Sequence, residues 1–83
     1  MEIHGWVLFN DHVRCVEAKK SLEADAYRVE LRPQDSGTVM LAIPPDSLSL
    51  DLLTARLRTL AVDFGGEFLS SGATHQVVLR RRS

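Results

Sequence analysis

The sequence predicts an α+β domain whose elements run strand, helix, strand, strand, helix, strand, and three observations predict it. An apolar run from Ile3 to Phe9 is followed at once by Asn10 and Asp11, residues that cap helices. Two further strand-like runs, Tyr27 to Arg32 and Thr38 to Ile43, flank a Pro-Gln-Asp-Ser-Gly turn. A leucine-rich stretch then carries helical periodicity up to the pair Gly65-Gly66, beyond which a last strand opens at Glu67.

Each element has its own physical reason. Ile3 to Phe9 is apolar on both alternating sets, with Ile3, Val7 and Phe9 on one and Trp6 and Leu8 on the other. A strand with two apolar faces belongs in the middle of its sheet. Gly5 marks a spot where something bulky comes close. The first helix is expected from about His12 to Asp25, its inward stripe being Cys15, Ala18, Leu22 and Ala26, with Val16 at the margin. Arg14, Glu17, Lys20 and Glu23 point to water, where Arg14/Glu17 and Lys20/Glu23 pairs add little.

Tyr27 to Arg32 alternates, so Tyr27, Val29 and Leu31 face the core while Arg28, Glu30 and Arg32 face water. Pro33 to Gly37 reads as the turn, and Thr38 to Ile43 as a buried strand ended by Pro44-Pro45. In the second helix Leu50, Leu53, Leu57, Leu60, Ala61 and Phe64 share one face. Ser47 or Ser49 caps it, and Asp51 suits the positive end of its dipole. Glu67 to Leu69 and Thr74 to Arg80 then form strand, and Ser70 to Ala73 between them is a hairpin turn or, the favoured reading, a bulge or short break in one long edge strand.

This order is the split β-α-β arrangement of ferredoxin-like folds. It implies a mostly antiparallel four-stranded sheet with both helices on one face and the other face uncovered. If Trp6 and Leu8, or Val39, Leu41 and Ile43, point to that uncovered side, the patch is large enough to call for a partner.

Composition sets the bounds. The chain has 83 residues, 45% hydrophobic and 25% charged, which suits one globular domain over 1–83. Its net charge of −1 gives no global case for nucleic acid or membrane surfaces. The lone Cys15 forms no internal disulfide and suits a reducing compartment, so a cytoplasmic location is expected. No apolar run is long enough for a bilayer, and no signal peptide is expected at Met1-Glu2.

The run Leu57-Arg58-Thr59-Leu60-Ala61-Val62-Asp63-Phe64-Gly65-Gly66-Glu67-Phe68, together with Ala26-Tyr27-Arg28-Val29 and the Asp11-led helix after Phe9, resembles the ribonuclease E inhibitor family, regulator of ribonuclease activity B. That family carries a leucine-rich helix, Gly-Gly-Glu-aromatic, and then an acidic Asp-Gly-Trp-Glu patch. This chain has Leu69-Ser70-Ser71-Gly72 in place of the patch and lacks the family's acidic amino-terminal extension. What the resemblance implies is the fold and a regulatory binding role without catalysis. Inhibition of a ribonuclease does not itself follow.

Chemistry-bearing residues are few. His12 and Cys15 stand one helical turn apart, and His4 and His75 lie in strands, but a zinc site wants four convergent ligands. No metal or cofactor is expected. Cys15 shares its face with Ala18 and Leu22, which favours a buried thiol over a nucleophile. Ser70-Ser71-Gly72 lacks a following helix N-terminus, so turn chemistry outweighs an anion cradle there. Arg80-Arg81-Arg82 is the one dense charge run, and without interleaved aromatics residues 80–83 read as a frayed basic tail with at most weak nucleic-acid contact.

The expected function is therefore a small non-catalytic protein-interaction or regulatory module, with ribonuclease regulation as the family resemblance would have it. Trp6, Leu8, Ser70, Ser71, Arg80 and Arg81 are its candidate contact residues, and another protein or a second copy is the expected partner. The competing reading is a small-ligand-sensing or RNA-contacting ferredoxin-like domain, by analogy of fold alone. No nucleophile, base and oxyanion constellation supports an enzyme.

Overall fold

The computed structural model describes residues 2–45 and 48–73. The elements are β1 (Ile3–Phe9), α1 (His12–Ala24), β2 (Arg28–Gln34), β3 (Gly37–Ile43), α2 (Leu50–Phe64) and β4 (Glu67–Ala73). All neighbouring strands are antiparallel in one sheet of order β2-β3-β1-β4, the ferredoxin-like layout. β1 sits inside the sheet between β3 and β4, as its two apolar faces require.

One set of alternating strand residues packs under both helices. Val7 and Phe9 of β1 and Met40 and Ala42 of β3 share a core with Cys15, Ala18 and Leu22 of α1 and Leu53, Leu57 and Leu60 of α2. Val29, Leu31 and Phe68 close its margins. Gly5 is where α2 comes down onto the sheet: a Cβ there would collide with the Leu57 side chain. The glycine thus sets the closest helix-to-sheet approach, and the adjacent hydroxyls of Thr54 and Ser71 hydrogen-bond at 2.7 Å across the same seam.

The helices start as their caps dictate. Asp11 accepts from Val13 N–H at 2.9 Å, and Ser49 accepts from Leu52 N–H at 3.2 Å. Ser47, the alternative cap, lies outside the described residues. Gly65 ends α2 at φ 72, and Gly66 N–H donates to the Ala61 carbonyl at 2.7 Å.

Several expectations need correction. α1 stops at Ala24, and Ala26 is exposed at φ 69 instead of joining the inward stripe. Once the chain turns left-handed, the i+4 relation to Leu22 no longer holds. Tyr27 is buried but precedes β2, its N–H donating to the Leu22 carbonyl at 3.1 Å as part of the helix ending. Lys19 rather than Lys20 pairs with Glu23, at 3.0 Å. Leu50, in the first turn of α2, is 38% exposed and does not join the buried face.

The β2–β3 turn is tighter than the five-residue reading. Gln34 pairs with Gly37 and Pro33 with Thr38, which leaves only Asp35 and Ser36 as the turn. Pro33 is tolerated because β2 is an edge strand, where a missing N–H need not break a ladder. Within β4 the irregularity falls at Leu69, since Phe68 pairs with Val7 and Ser70 with Trp6. Ser70 to Ala73 is regular strand, and the Thr74–Arg80 segment lies outside the described residues.

The left-handed Ala26 gives a first prediction. An alanine at positive φ costs about 1 kcal/mol relative to glycine. Ala26→Gly is therefore expected to raise the urea midpoint, with a gain of up to about 1 kcal/mol. A neutral or destabilising result would show that this helix ending is not set by backbone strain.

Candidate interaction face

The alternate strand residues, those out of phase with Val7, Phe9, Met40 and Ala42, project from the opposite side of the sheet. Register sorts them into rows that cross it from β2 to β4. Arg32, Val39, Leu8 and Glu67 form one row. Glu30, Leu41, Trp6 and Ser70 form the next, and the pairs Arg28–Ile43 and His4–Gly72, two residues further along the strands, make the third. Each row is apolar or aromatic in the middle; the ends are polar except at Gly72. No described helix packs on this side, since both helices share their core with the other set of strand residues.

Trp6 stands at the centre. His4 meets it edge-on, with ring centroids 5.9 Å apart and planes at 88°. The Arg32 guanidinium lies 5.3 Å from the Trp6 ring centroid, a cation–π contact that half-covers the indole. Leu41 is almost buried between Trp6 and Glu30, while Leu8, Val39 and Ile43 are half-buried. The charges along β2 are locally paired: Arg32 with Glu30 at 3.3 Å, and Arg28 with Glu2 at 2.8 Å. These pairs are solvent-exposed and contribute little to stability. Glu67, at the opposite edge, has no ion pair among the described residues.

His4 carries a further oddity. Its Nδ1 is buried without a hydrogen-bond partner, a state that costs about 1–3 kcal/mol. The neighbouring position is Gly72, where an added Cβ would meet nothing within 4 Å. The third row therefore ends in an open notch beside an aromatic pair.

The bulge at Leu69 decides which serine belongs to this face. It shifts the register by one, so Ser70 stands opposite Trp6 on the side away from the helices. Ser71 then turns toward α2, where Thr54 engages its hydroxyl. Trp6, Leu8 and Ser70 are thus brought together, whereas Ser71 lies on the helix side of the sheet. Arg80 and Arg81 lie outside the described residues, as does His75.

The helix side offers different chemistry. A groove of about 520 Å³ runs between the end of α1 and α2, lined by Tyr27, Leu48, Leu52 and Arg56 among others. Arg56 closes it by donating to Ser21 Oγ at 3.2 Å and Asp25 Oδ2 at 3.0 Å. Burial raises the Tyr27 phenol above its ordinary range, with Arg56 pulling it down and Asp25 pushing it up by lesser amounts. Cys15 is wholly buried, and desolvation raises its thiol pKa, which is the opposite of what a nucleophile needs. His12 is exposed on α1 and does not share that buried site. Among the described residues no three His, Cys, Asp or Glu side chains converge on a metal-sized site.

Sequence reasoning passed over Arg28, Arg32 and Glu67 as contact residues. Alternation alone turned the arginines away from the core, but only the β2–β3 register sets Arg32 level with Val39 and Leu8. Comparison with known proteins finds no matching family model, no similar curated protein and no matching solved structure.

Proposed function

We propose that this chain is a small non-catalytic interaction or regulatory module that works through the uncovered face of its sheet. The observation that carries the reading is the block of Trp6, Leu8, Val39, Leu41 and Ile43 in adjacent register on the side away from both helices. Leu41 is buried and the other four are half-buried, so the block offers a shallow apolar surface that a partner can cover. A ribonuclease as the regulated partner rests on the resemblance of the Leu57–Phe68 run to the ribonuclease E inhibitor family.

The test compares capture from cell extract by immobilised wild type, by Leu8→Glu on the face, and by Val62→Glu on the outer side of α2, where Val62 is 81% exposed. A specific partner is expected with wild type and with Val62→Glu, and lost with Leu8→Glu. Capture that survives Leu8→Glu would place the contact elsewhere and sink the reading.

A second reading, contact with single-stranded RNA, is favoured by one observation. Trp6 and His4 offer a stacking platform with Arg28 and Arg32 on the same face. Glu2 and Glu30 already neutralise both arginines, which ranks it second.

A further inference from the structure

We propose that the occupant of the uncovered face is a second copy of this chain, paired about a twofold axis parallel to the strands. The inference rests on the reading of this face as the contact surface and names what covers it. Its argument is the distribution of charge within one row of the sheet.

The row Arg32–Val39–Leu8–Glu67 carries a cation at the β2 edge, an anion at the β4 edge and two apolar side chains between them. A half-turn about an axis along the strands lays a second sheet face-down on the first and reverses the order of every row. Arg32 then lies over Glu67 of the second copy, Glu67 over Arg32, and Val39 over Leu8. The Arg32–Glu30 contact is exposed and weak, so the guanidinium can be shared with the second carboxylate. One half-turn satisfies both ends at once, as a closed isologous interface requires. Packed sheets lie about 10 Å apart, a gap that an arginine and a glutamate can span together.

The other rows agree. In the middle row Trp6 comes over Leu41, and Glu30 over the uncharged Ser70. In the third, Arg28 comes over Gly72, where open space replaces a side chain. The alternative half-turn that also overlaps the faces fully, about an axis across the strands at the middle row, would set Glu30 over Glu30 and Arg28 over Arg32. Like charges would then face each other along the whole β2 edge, which opposes that arrangement. For full overlap of the two faces, the charge pattern thus favours the axis along the strands.

Size sets the strength. Four strands of seven residues give a plan area of roughly 450 Å². A standard stable interface covers about 800 Å² of accessible surface on each partner. The dimer is therefore a reversible one, not an obligate one.

Sedimentation velocity on the full chain, from low micromolar to millimolar concentration, tests this. Wild type is expected to pass from monomer to dimer, and emission from Trp6, the one tryptophan in the sequence, should shift to the blue as it does so. Arg32→Glu and Glu67→Arg should each weaken the dimer about tenfold or more, because each reversal creates two like-charge contacts. The double variant should recover most of the wild-type affinity. Both positions are exposed, and far-UV circular dichroism confirms that the variants fold.

A chain that stays monomeric throughout overturns the dimer but leaves the interaction face to be judged by the Leu8→Glu capture. A dimer whose tryptophan emission does not move, or whose double variant is no better than the single ones, overturns the twofold arrangement.

Discussion

Phe9→Ala is expected to lower the unfolding free energy by about 3–5 kcal/mol, the range for deleting a buried aromatic ring. A domain of this length holds about 4–12 kcal/mol in total, so the variant should be marginal or unfolded. Phe9 is 1% exposed and lies at the end of the sheet where β1 hands over to α1. Its ring occupies the space that opens because Gly66 has no side chain. A Cβ on Gly66 would come within 2.6 Å of Phe9 Cε1 and 2.8 Å of Cδ1.

That contact supplies a sharper check than the truncation alone. Gly66 is not at positive φ, so Gly66→Ala is penalised by crowding and not by backbone strain. In a Phe9→Leu background the crowding should shrink, and the two substitutions should cost less together than separately. Some penalty remains, since the Leu8 carbonyl oxygen sits 3.0 Å from the same Cβ position. Urea unfolding of the four proteins measures the coupling. Strict additivity would show that the ring does not fill the Gly66 gap.

Gly37→Ala is the second large effect, expected at about 2–4 kcal/mol from strain and collision together. Gly37 opens β3 at φ 149, a conformation that residues with a Cβ rarely adopt. A Cβ there would also collide with the Phe9 backbone carbonyl oxygen, and a carbonyl within a sheet cannot swing aside as a side chain can. Gly65 provides the comparison. It also has positive φ, at 72, but a Cβ would meet nothing within 4 Å. Gly65→Ala should therefore cost only the left-handed penalty of about 1 kcal/mol. Chemical denaturation should rank Gly37→Ala well below Gly65→Ala in stability. The reverse order would mean that the hairpin tolerates a shift away from β1.

The interaction proposals draw on the same geometry from the other side. The core fixes which strand residues point at the helices, and whatever is left over is what a partner can meet. Trp6 and Leu8 are apolar without being part of the helix-side core, and that is why they define a face instead of a filling.

Much of this was legible in the residues. Period-two alternation in β2, the apolar β1, the Ser49 and Asp11 caps and the Gly65 stop are local effects of side-chain sterics and backbone hydrogen bonding, so they are written in short windows of sequence. Element order and sheet membership followed from them. What lay beyond reach depends on register. The sequence suggested a bulge or break at Ser70 to Ala73, but its true position at Leu69, which sends Ser70 to one face and Ser71 to the other, is set by how Val7 and Trp6 pair with β4. The left-handed Ala26 was hidden too, since alanine gives no warning of positive φ and the helix ending is held by the buried Leu22 and Tyr27. The row that joins Arg32 to Glu67 spans four strands, and only the assembled sheet could bring those charges to one level. Local propensity chose the elements, and long-range pairing decided which side chains meet.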